Sequence, residues 1–224
     1  MTERWLGHLK AELARPELFD EGIEAARNAC VAGASIAAAA ITAAAYYDSP
    51  LVGIGSLRGC MSRLAGVPLE LSGWRAALRP GPVEHAADHP CTPGFGFVSA
   101  LHAERVLAAC RRLAAIGNGG PASHCAFFSQ HHAELTALAG PLNPSGLAAL
   151  VFVAAELDLE RAEREFMCWK IETATAQAQE ARRAGLAAFP FLSDRYVYEG
   201  TLPPERTLDL ASLLEQAGIG SSDD

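Results

Sequence analysis

The sequence lacks the patterns of several functional classes. It has six cysteines and seven histidines, but no CxxC pair and none of the Cys/His spacings that bind zinc. It has no cluster of basic residues, and its net charge of -8 opposes binding to nucleic acid, whose phosphates require a basic surface. Residues 1–4 carry no signal-peptide pattern. We therefore expect a cytoplasmic protein with free thiols, no metal or cofactor, and no nucleic acid partner.

The sequence also lacks a membrane span. Its longest apolar stretch, residues 29–45, is shorter than the roughly 20 residues that cross a bilayer as a helix. Tyr46, Tyr47 and Asp48 follow it, where basic residues would anchor a span. We expect this stretch to be a buried core helix and the protein to have no membrane partner.

Alanine and other apolar residues are abundant. Of the 224 residues, 50% are hydrophobic, which is enough to bury one substantial core. Alanine-rich runs at 35–45 and 108–115 favour helix, because alanine loses no side-chain entropy there and lets helices approach closely. The sequence predicts an all-α fold.

Two patterns predict the helices of the first part of the chain. Pro16 and the acidic residues after it begin a helical pattern that runs to about Ala45, as one helix or as two with a break near Gly33. The next helix is predicted from its spacing of apolar residues, which are Leu57, Cys60, Met61 and Leu64.

Breakers and caps divide the rest of the chain. Prolines and glycines are concentrated between Leu78 and Gly96, which predicts the main loop there. Ser145 and Asp158 are predicted to cap the helices that follow them. A short extended piece is predicted at 196–198. The predicted helices span about 103–116, 121–139, 145–155, 159–184 and 207–217.

Four short segments, taken in order, resemble a known family. They are GSLRGCMSRL at 55–64, PGFG at 93–96, PLNPSGLAAL at 141–150 and RYVYEG at 195–200. In turn they resemble the helix after the His-Gly-Gly motif, the Pro-Gly-Phe-Gly-His motif, the Asn-Val-Asp-Gly region and the C-terminal Arg-Tyr-Xaa-Tyr-Xaa-Gly motif of one family. That family is the short bacterial citrate synthases and citryl-CoA lyases.

The resemblance implies an architecture. It places residues 1–79 in a large helical core, 80–95 in a Pro/Gly-rich loop, 96–160 in a small helical subdomain, and 161–224 in a long helix and tail that return to the core. It also implies a homodimer with helices packed across the two-fold axis. The N-terminal part is shorter than the family's by a helix or two, which would expose apolar surface unless a partner covers it.

The family's catalytic residues are missing. The resemblance places the two family histidines at about Gly53 and at Phe97, and the family aspartate at Ser145. Gly and Phe offer no hydrogen-bond donor, and an unactivated Ser hydroxyl is a very poor base. The loop that holds coenzyme A in the family is shortened here and carries no Lys, Arg or Asp. The resemblance therefore implies a scaffold without the family's thioester chemistry and without a conventional coenzyme A site.

Three residues are candidates for acid–base chemistry in such a cleft. Asp48 lies at the end of the helix that leads to the first family histidine position, and a turn or cap role is the alternative. His102 is predicted in the shortened loop at the cleft mouth. Ser145 occupies the position of the family aspartate, with a helix cap as the alternative.

Four residues are candidates for binding a substrate. Lys170 occupies the position of a family arginine that binds a carboxylate, so it keeps the charge and loses the bidentate fork. Arg58 is a second cation for a carboxylate, or a solvated helix residue. Asn143 is kept from the family motif, where its amide positions substrate or braces the turn. Phe97 would make the cleft more apolar.

The densest set of reactive side chains lies elsewhere. His124, Cys125 and His131 share one face of a predicted helix, with His132 and Glu134 nearby. A metal site or a Cys/His nucleophile pair is the functional interpretation. The zinc-type i,i+4 histidine pair and an orienting carboxylate are missing, so we expect no metal there.

Three functions are open at this point. The first is coenzyme A-independent chemistry on a carboxylate or carbonyl compound, such as cyclisation, isomerisation, or carbon–carbon bond formation or cleavage. The second is a non-catalytic protein that binds a ligand or a partner protein. The third is a citryl-CoA-lyase-like reaction through Asp48 and His102. A fold alone does not choose among them.

Overall fold

The fold is all-α, as the sequence predicts. A computed structural model describes residues 2–49, 53–80, 92–96, 98–117 and 119–185, which belong to one compact unit. Within these ranges there is no β-strand, and Phe95 and Leu142 form an isolated β-bridge. A 3-10 helix at Pro16–Leu18 accompanies nine α-helices. They are α1 (Thr2–Leu13), α2 (Glu21–Val31), α3 (Ile36–Tyr47), α4 (Ile54–Leu64), α5 (Leu71–Leu78), α6 (Ala100–Ala114), α7 (Gly120–Ala139), α8 (Pro144–Ala154) and α9 (Leu159–Ala184).

Parts of the predicted organisation lie outside these ranges. The extended piece at 196–198 and the helix at 207–217 fall beyond the last described residue, and most of the Pro/Gly-rich loop lies in the gap at 81–91. The subdomain boundaries implied by the resemblance stay a prediction.

Side chains that accept a backbone hydrogen bond begin five of the helices. In each case the acceptor bonds the amide three residues later, which satisfies one of the N–H groups left free at a helix start. The five caps are Asp20, Ser35, Ser99, Asn143 and Asp158.

The predicted cap at Ser145 is wrong. The cap of α8 is Asn143, whose Oδ1 accepts the Gly146 amide at 2.9 Å. Pro144 explains the difference, because proline has no N–H and suits the first position of a helix. Ser145 is therefore already inside the first turn, where it is fully buried.

The predicted place of His102 in a loop is also wrong. Ser99 caps α6 and its hydroxyl accepts the His102 amide at 3.2 Å. The helix thus begins at Ala100, three residues before the predicted start, and His102 lies in its first turn.

The chain between Glu21 and Tyr47 forms two helices, which confirms the second of the two alternatives. Gly33 lies between them with φ of 99°, a left-handed conformation that residues with a Cβ rarely adopt. Two further helices, α1 and α5, were not predicted. α1 packs against α6 and α8.

The core has two parts joined by the longest helix. The main part surrounds α8, which is buried on all sides from Pro144 to Phe152. The second part lies between α2, α3 and α9, and small side chains such as Ala39, Ala43 and Ala178 bring these helices close together. α9 contributes to both parts.

Most of the described cysteines lie in the core, where a free thiol packs as a small apolar side chain. Cys30, Cys60, Cys110 and Cys125 are buried free thiols, while Cys168 is exposed. No helix in the described ranges is long and apolar enough to cross a membrane.

The end of α8 holds a strained residue. The Glu156 amide bonds the Val153 carbonyl and the Leu157 amide bonds the Phe152 carbonyl, which is a Schellman motif. Glu156 occupies the left-handed position of this motif with φ of 55°, where glycine is usual.

Replacing Glu156 with Gly should stabilise the protein by about 0.5–1 kcal/mol, because glycine enters the left-handed region without a Cβ clash. Urea denaturation measures the difference. Ala154→Gly, still inside α8, is the control and should destabilise by about 0.5–1 kcal/mol. A loss of stability in Glu156→Gly would contradict the left-handed conformation.

Candidate functional site

Three of the four segments that resemble the family meet in space. The Gly94 amide donates to the Ser56 hydroxyl of α4 at 2.8 Å, and the Gly94 carbonyl accepts the Asn143 amide at 3.1 Å. The Gly96 amide donates to the Pro141 carbonyl at 2.7 Å. The segment 93–96 is therefore held between α4 and the turn that precedes α8.

Glycine makes this close approach possible. A Cβ on Gly146 would lie 2.0 Å from the Gly94 carbonyl oxygen. Gly94 itself has φ of 84°, and a Cβ there would lie 2.6 Å from the Cys60 sulfur. Neither position accepts a side chain unless backbone or buried atoms move.

Gly146→Ala should destabilise the protein by about 1–3 kcal/mol, because the new methyl group overlaps the Gly94 carbonyl. Gly7→Ala is the matched control: Gly7 lies inside α1 with open space at its Cβ position, so alanine should stabilise by about 0.5–1 kcal/mol. Thermal or urea denaturation measures both. Equal effects of the two changes would contradict the docking of segment 93–96 on α8.

A buried ion pair lies where the start of α2, the end of α3 and the middle of α9 meet. Lys170 of α9 is 1% exposed, and its Nζ donates to Asp20 Oδ2 at 2.5 Å. The Tyr47 hydroxyl donates to Asp20 Oδ1, also at 2.5 Å. The Lys170 ammonium lies 5.2 Å from the centre of the Tyr47 ring, within the range of a cation–π contact. Asp20, Tyr47, Lys170 and the nearby His102 are called the polar cluster below.

The pKa values in the polar cluster follow from burial and charge. Burial alone would raise the pKa of the Asp20 carboxyl, but the Lys170 charge and the hydrogen bonds from Lys170, Tyr47 and the Ile23 amide outweigh it and hold the pKa below its usual value. Burial and the Asp20 carboxylate raise the pKa of the Tyr47 hydroxyl. At neutral pH the cluster therefore contains a carboxylate, an ammonium and a neutral phenol.

His102 of α6 lies close enough for the charges of Asp20, Glu21 and Lys170 to act on it. Its pKa is lowered, chiefly by burial and further by the charges of Lys170 and Arg105, while Asp20 and Glu21 oppose the shift. Its Nε2 is buried and has no hydrogen-bond partner. A buried polar atom of this kind is uncommon and needs an explanation, such as a ligand.

The resemblance assigns the first family histidine to about position 53, and the structure has no room for a side chain there. Gly53 caps α4, and a Cβ there would lie 1.7 Å from the Tyr47 carbonyl oxygen. The backbone of Tyr47 fills the space in which a side chain at 53 would begin. A catalytic side chain is thus sterically excluded at this position.

Asp48 and Arg58 lie outside the polar cluster. Asp48 is the exposed C-cap of α3. Arg58 is exposed on α4 and its Nε donates to Glu163 of α9 at 2.6 Å. Asp48 is close enough to Arg58 to raise the pKa of the guanidinium, after the larger effect of Glu163. The two predicted site residues thus belong to one surface charge group.

Asn143 and Ser145 lie in the main core. Asn143 is 2% exposed, and its Oδ1 caps the start of α8. Of the two roles that the sequence suggested for its amide, this contact matches the bracing of the turn. Its Nδ2 is buried without a hydrogen-bond partner. Phe97 lies outside the described residues.

Of the six predicted site residues that the structure describes, His102 and Lys170 belong to the polar cluster. Asp20 and Tyr47 were missed, because a local pattern does not reveal a contact between residues 150 positions apart. The sequence does contain one indication that Lys170 is buried. Lys170 follows Phe166 by four positions, which places it on the apolar stripe of α9.

The histidine and cysteine set of α7 forms no metal site. His124 Nδ1 faces the Gly120 carbonyl at 3.0 Å, the His131 ring packs on Phe127 at 4.7 Å, and Cys125 is buried. No group of three or more His, Cys, Asp or Glu residues in the described part of the chain is arranged to hold a metal ion.

Two cavities lie away from the polar cluster. One, of about 420 Å³, separates the end of α4 from the turn between α8 and α9. Another, of about 440 Å³, lies beside Arg75 and Arg79. None of the predicted site residues lines either cavity.

Comparison with known proteins returns no match: no family model, no curated protein and no solved structure is similar to the chain.

Lys170→Met should destabilise the protein by about 3–5 kcal/mol, because it leaves the Asp20 carboxylate buried without a counter-ion. The double change Asp20→Asn and Lys170→Met should be less destabilising, since no buried charge remains and Asn still caps α2. Lys10→Met, which removes an exposed pair with Glu172, is the control and should cost under about 1 kcal/mol. Urea denaturation measures all four proteins.

The difference in stability between the wild-type protein and Lys170→Met should decrease in acid. The folded pKa of Asp20 is below its unfolded value of about 3.9, so its contribution is full above that pH and is lost as the pH falls through the folded pKa. The wild-type protein and Lys170→Met should therefore approach each other in stability in acid. A difference independent of pH would contradict the ion pair.

Proposed function

We propose that the chain is a divergent citrate-synthase-like protein that acts on a small carboxylate or carbonyl compound without coenzyme A. The observation that carries the proposal is the buried, unpartnered His102 Nε2, on which the paired charges of Asp20 and Lys170 act. The contact among segments 55–64, 93–96 and 141–150 supports the choice of scaffold.

The proposed reaction depends on a neutral imidazole and a fixed cation. The lowered pKa leaves His102 neutral at pH 7, which is the form that accepts a proton. The Lys170 ammonium, oriented by Asp20 and Tyr47, stabilises negative charge that develops on a carbonyl oxygen. Together they suit removal of a proton from the carbon beside a carbonyl group. Isomerisation, cyclisation and carbon–carbon bond steps on such compounds all begin in this way.

Access to the cluster is proposed on the side of His102. This residue is half-buried, and its neighbour Leu101 is 57% exposed. Lys170 and Tyr47 are nearly inaccessible. A ligand that enters there meets the imidazole before the ammonium.

A specific observation favours a second candidate, the non-catalytic binding protein. Lys170 is 1% exposed and already has an anionic partner in Asp20, so the pair also stands as a purely structural link between helices. In that case the polar cluster only stabilises the fold, and the binding surface lies elsewhere. The lyase-like alternative has less support, since the charges that act on His102 are those of Asp20, Glu21, Lys170 and Arg105 rather than of Asp48.

Deuterium exchange tests the proposal. The protein, incubated in D₂O with pyruvate, oxaloacetate and related oxo acids, should exchange the hydrogens beside the carbonyl, as read by proton NMR. His102→Gln should reduce the rate by about a hundredfold or more. His124→Gln, on α7 against Trp74, is the matched control and should keep the wild-type rate. Arg58→Ala should reduce exchange if this exposed cation also binds a carboxylate.

The pH profile and coenzyme A give two further checks. Because burial lowers the His102 pKa, the rate should be constant at neutral and alkaline pH and should fall in acid. Added coenzyme A should leave it unchanged. No exchange with any compound, or the wild-type rate in His102→Gln, would overturn the proposal.

The chemical reactivity of the two lysines of the chain distinguishes the catalytic function from the non-catalytic one. Lys10 is exposed and Lys170 is buried, so acetylation followed by mass spectrometry reads them independently. If ligands enter the cluster, Lys170 should react faster than global unfolding allows, and a bound oxo acid should slow it without affecting Lys10. Reaction of Lys170 only at the rate of global unfolding would favour the structural role.

A further inference from the structure

The cavity at the end of α8 is large enough to hold a small ligand. It has a volume of about 420 Å³, within the range of small-molecule pockets. We call it the α8–α9 groove. Its lining consists of Met61, Ser62, Ala65 and Gly66 at the end of α4, Val153 of α8, Leu159 of α9, and Glu156, Leu157 and Asp158 between these two helices.

The floor of the α8–α9 groove is apolar. Met61 is nearly buried, and Val153 and Leu157 pack against the main core. Leu159 is 37% exposed, so part of its apolar surface faces solvent at the groove. An apolar body of a ligand would cover this surface.

The charged groups of the groove lining are both acidic. Asp158 accepts the Arg161 amide at 2.8 Å through Oδ1 as the cap of α9, which leaves its other oxygen outside the cap. Glu156 extends from the left-handed residue of the Schellman motif and makes no ion pair with the described residues. Both side chains are exposed at the groove edge.

The nearest cation does not neutralise this edge. Arg161 is close enough to Asp158 for the carboxylate to raise its pKa, but the larger effect comes from Glu3, which accepts a hydrogen bond from the guanidinium. Arg161 also lies 3.9 Å from Glu165. One guanidinium is thus shared among Glu3, Glu165 and Asp158, so it does not pair with Asp158 alone.

We propose that the α8–α9 groove binds a small organic cation with an apolar body, of the alkylammonium or arylalkylammonium class. The apolar part lies on Met61 and Leu159, and the ammonium group faces Glu156 and Asp158. Charge complementarity selects this class over carboxylates, and the apolar floor selects it over inorganic cations. The site is separate from the polar cluster and does not depend on its function.

Methionine NMR provides a direct test, because the chain has three methionines and, of the two that the structure describes, Met61 lines the groove and Met167 does not. Titration of ¹³C-methyl-methionine protein with 2-phenylethylammonium should shift the Met61 signal saturably, while Met1 and Met167 stay in place. The neutral 2-phenylethanol and the anionic 3-phenylpropionate should bind more weakly. High salt should weaken binding of the cation.

Charge-neutral variants that keep the fold give the decisive comparison. Asp158→Asn retains the cap of α9, and Glu156→Gln retains the side-chain length, so each should raise the Kd by about threefold, as expected for an exposed charge pair. Glu160→Gln, an exposed carboxylate outside the groove lining, is the control and should leave the Kd unchanged. Equal affinity for the alcohol, an equal loss in Glu160→Gln, or no saturable Met61 shift would overturn the proposal.

Discussion

The ion pair between Lys170 and Asp20 determines how α2, α3 and α9 fit together. One Asp20 carboxylate accepts the Ile23 amide, the Tyr47 hydroxyl and the Lys170 ammonium, so the start of α2, the end of α3 and the middle of α9 meet at a single group. The chain has only two lysines, and the other, Lys10, is exposed. Burying a lysine costs free energy because the ammonium loses its hydration. The hydrogen bond to Asp20 and the contact with the Tyr47 ring offset part of this cost.

Buried ion pairs contribute little net stability compared with apolar residues of the same volume, because both charges lose their hydration. We therefore infer that the main effect of this pair is orientation. It fixes the rotation of α9, so that Trp169 packs on Phe152 in the main core while Ala174 and Ala178 face the second part of the core. A rigid ammonium with a fixed direction is also the property that a ligand site requires.

Sequence patterns predicted the elements better than the contacts between them. The apolar spacing of α4 and the cap at Asp158 are local signals, and both are confirmed. The error at Ser145 arose from weighing the Ser hydroxyl above the Asn143–Pro144 pair, in which proline defines the first helical position. Lys170 and His102 were predicted individually from a resemblance. Their association with Asp20 and Tyr47 required the packing of four helices, which no local pattern contains.

The same packing leaves no room for a side chain at position 53. Gly53 rests on the Tyr47 carbonyl, while the Tyr47 hydroxyl bonds Asp20. A side chain at 53 would displace the Tyr47 backbone and with it the phenol that orients the buried carboxylate. The polar cluster and a histidine at 53 are therefore mutually exclusive in this packing. Any chemistry at this end of the helices must use groups from α2, α3, α6 and α9, and among these His102 supplies the one buried nitrogen without a partner in the described residues.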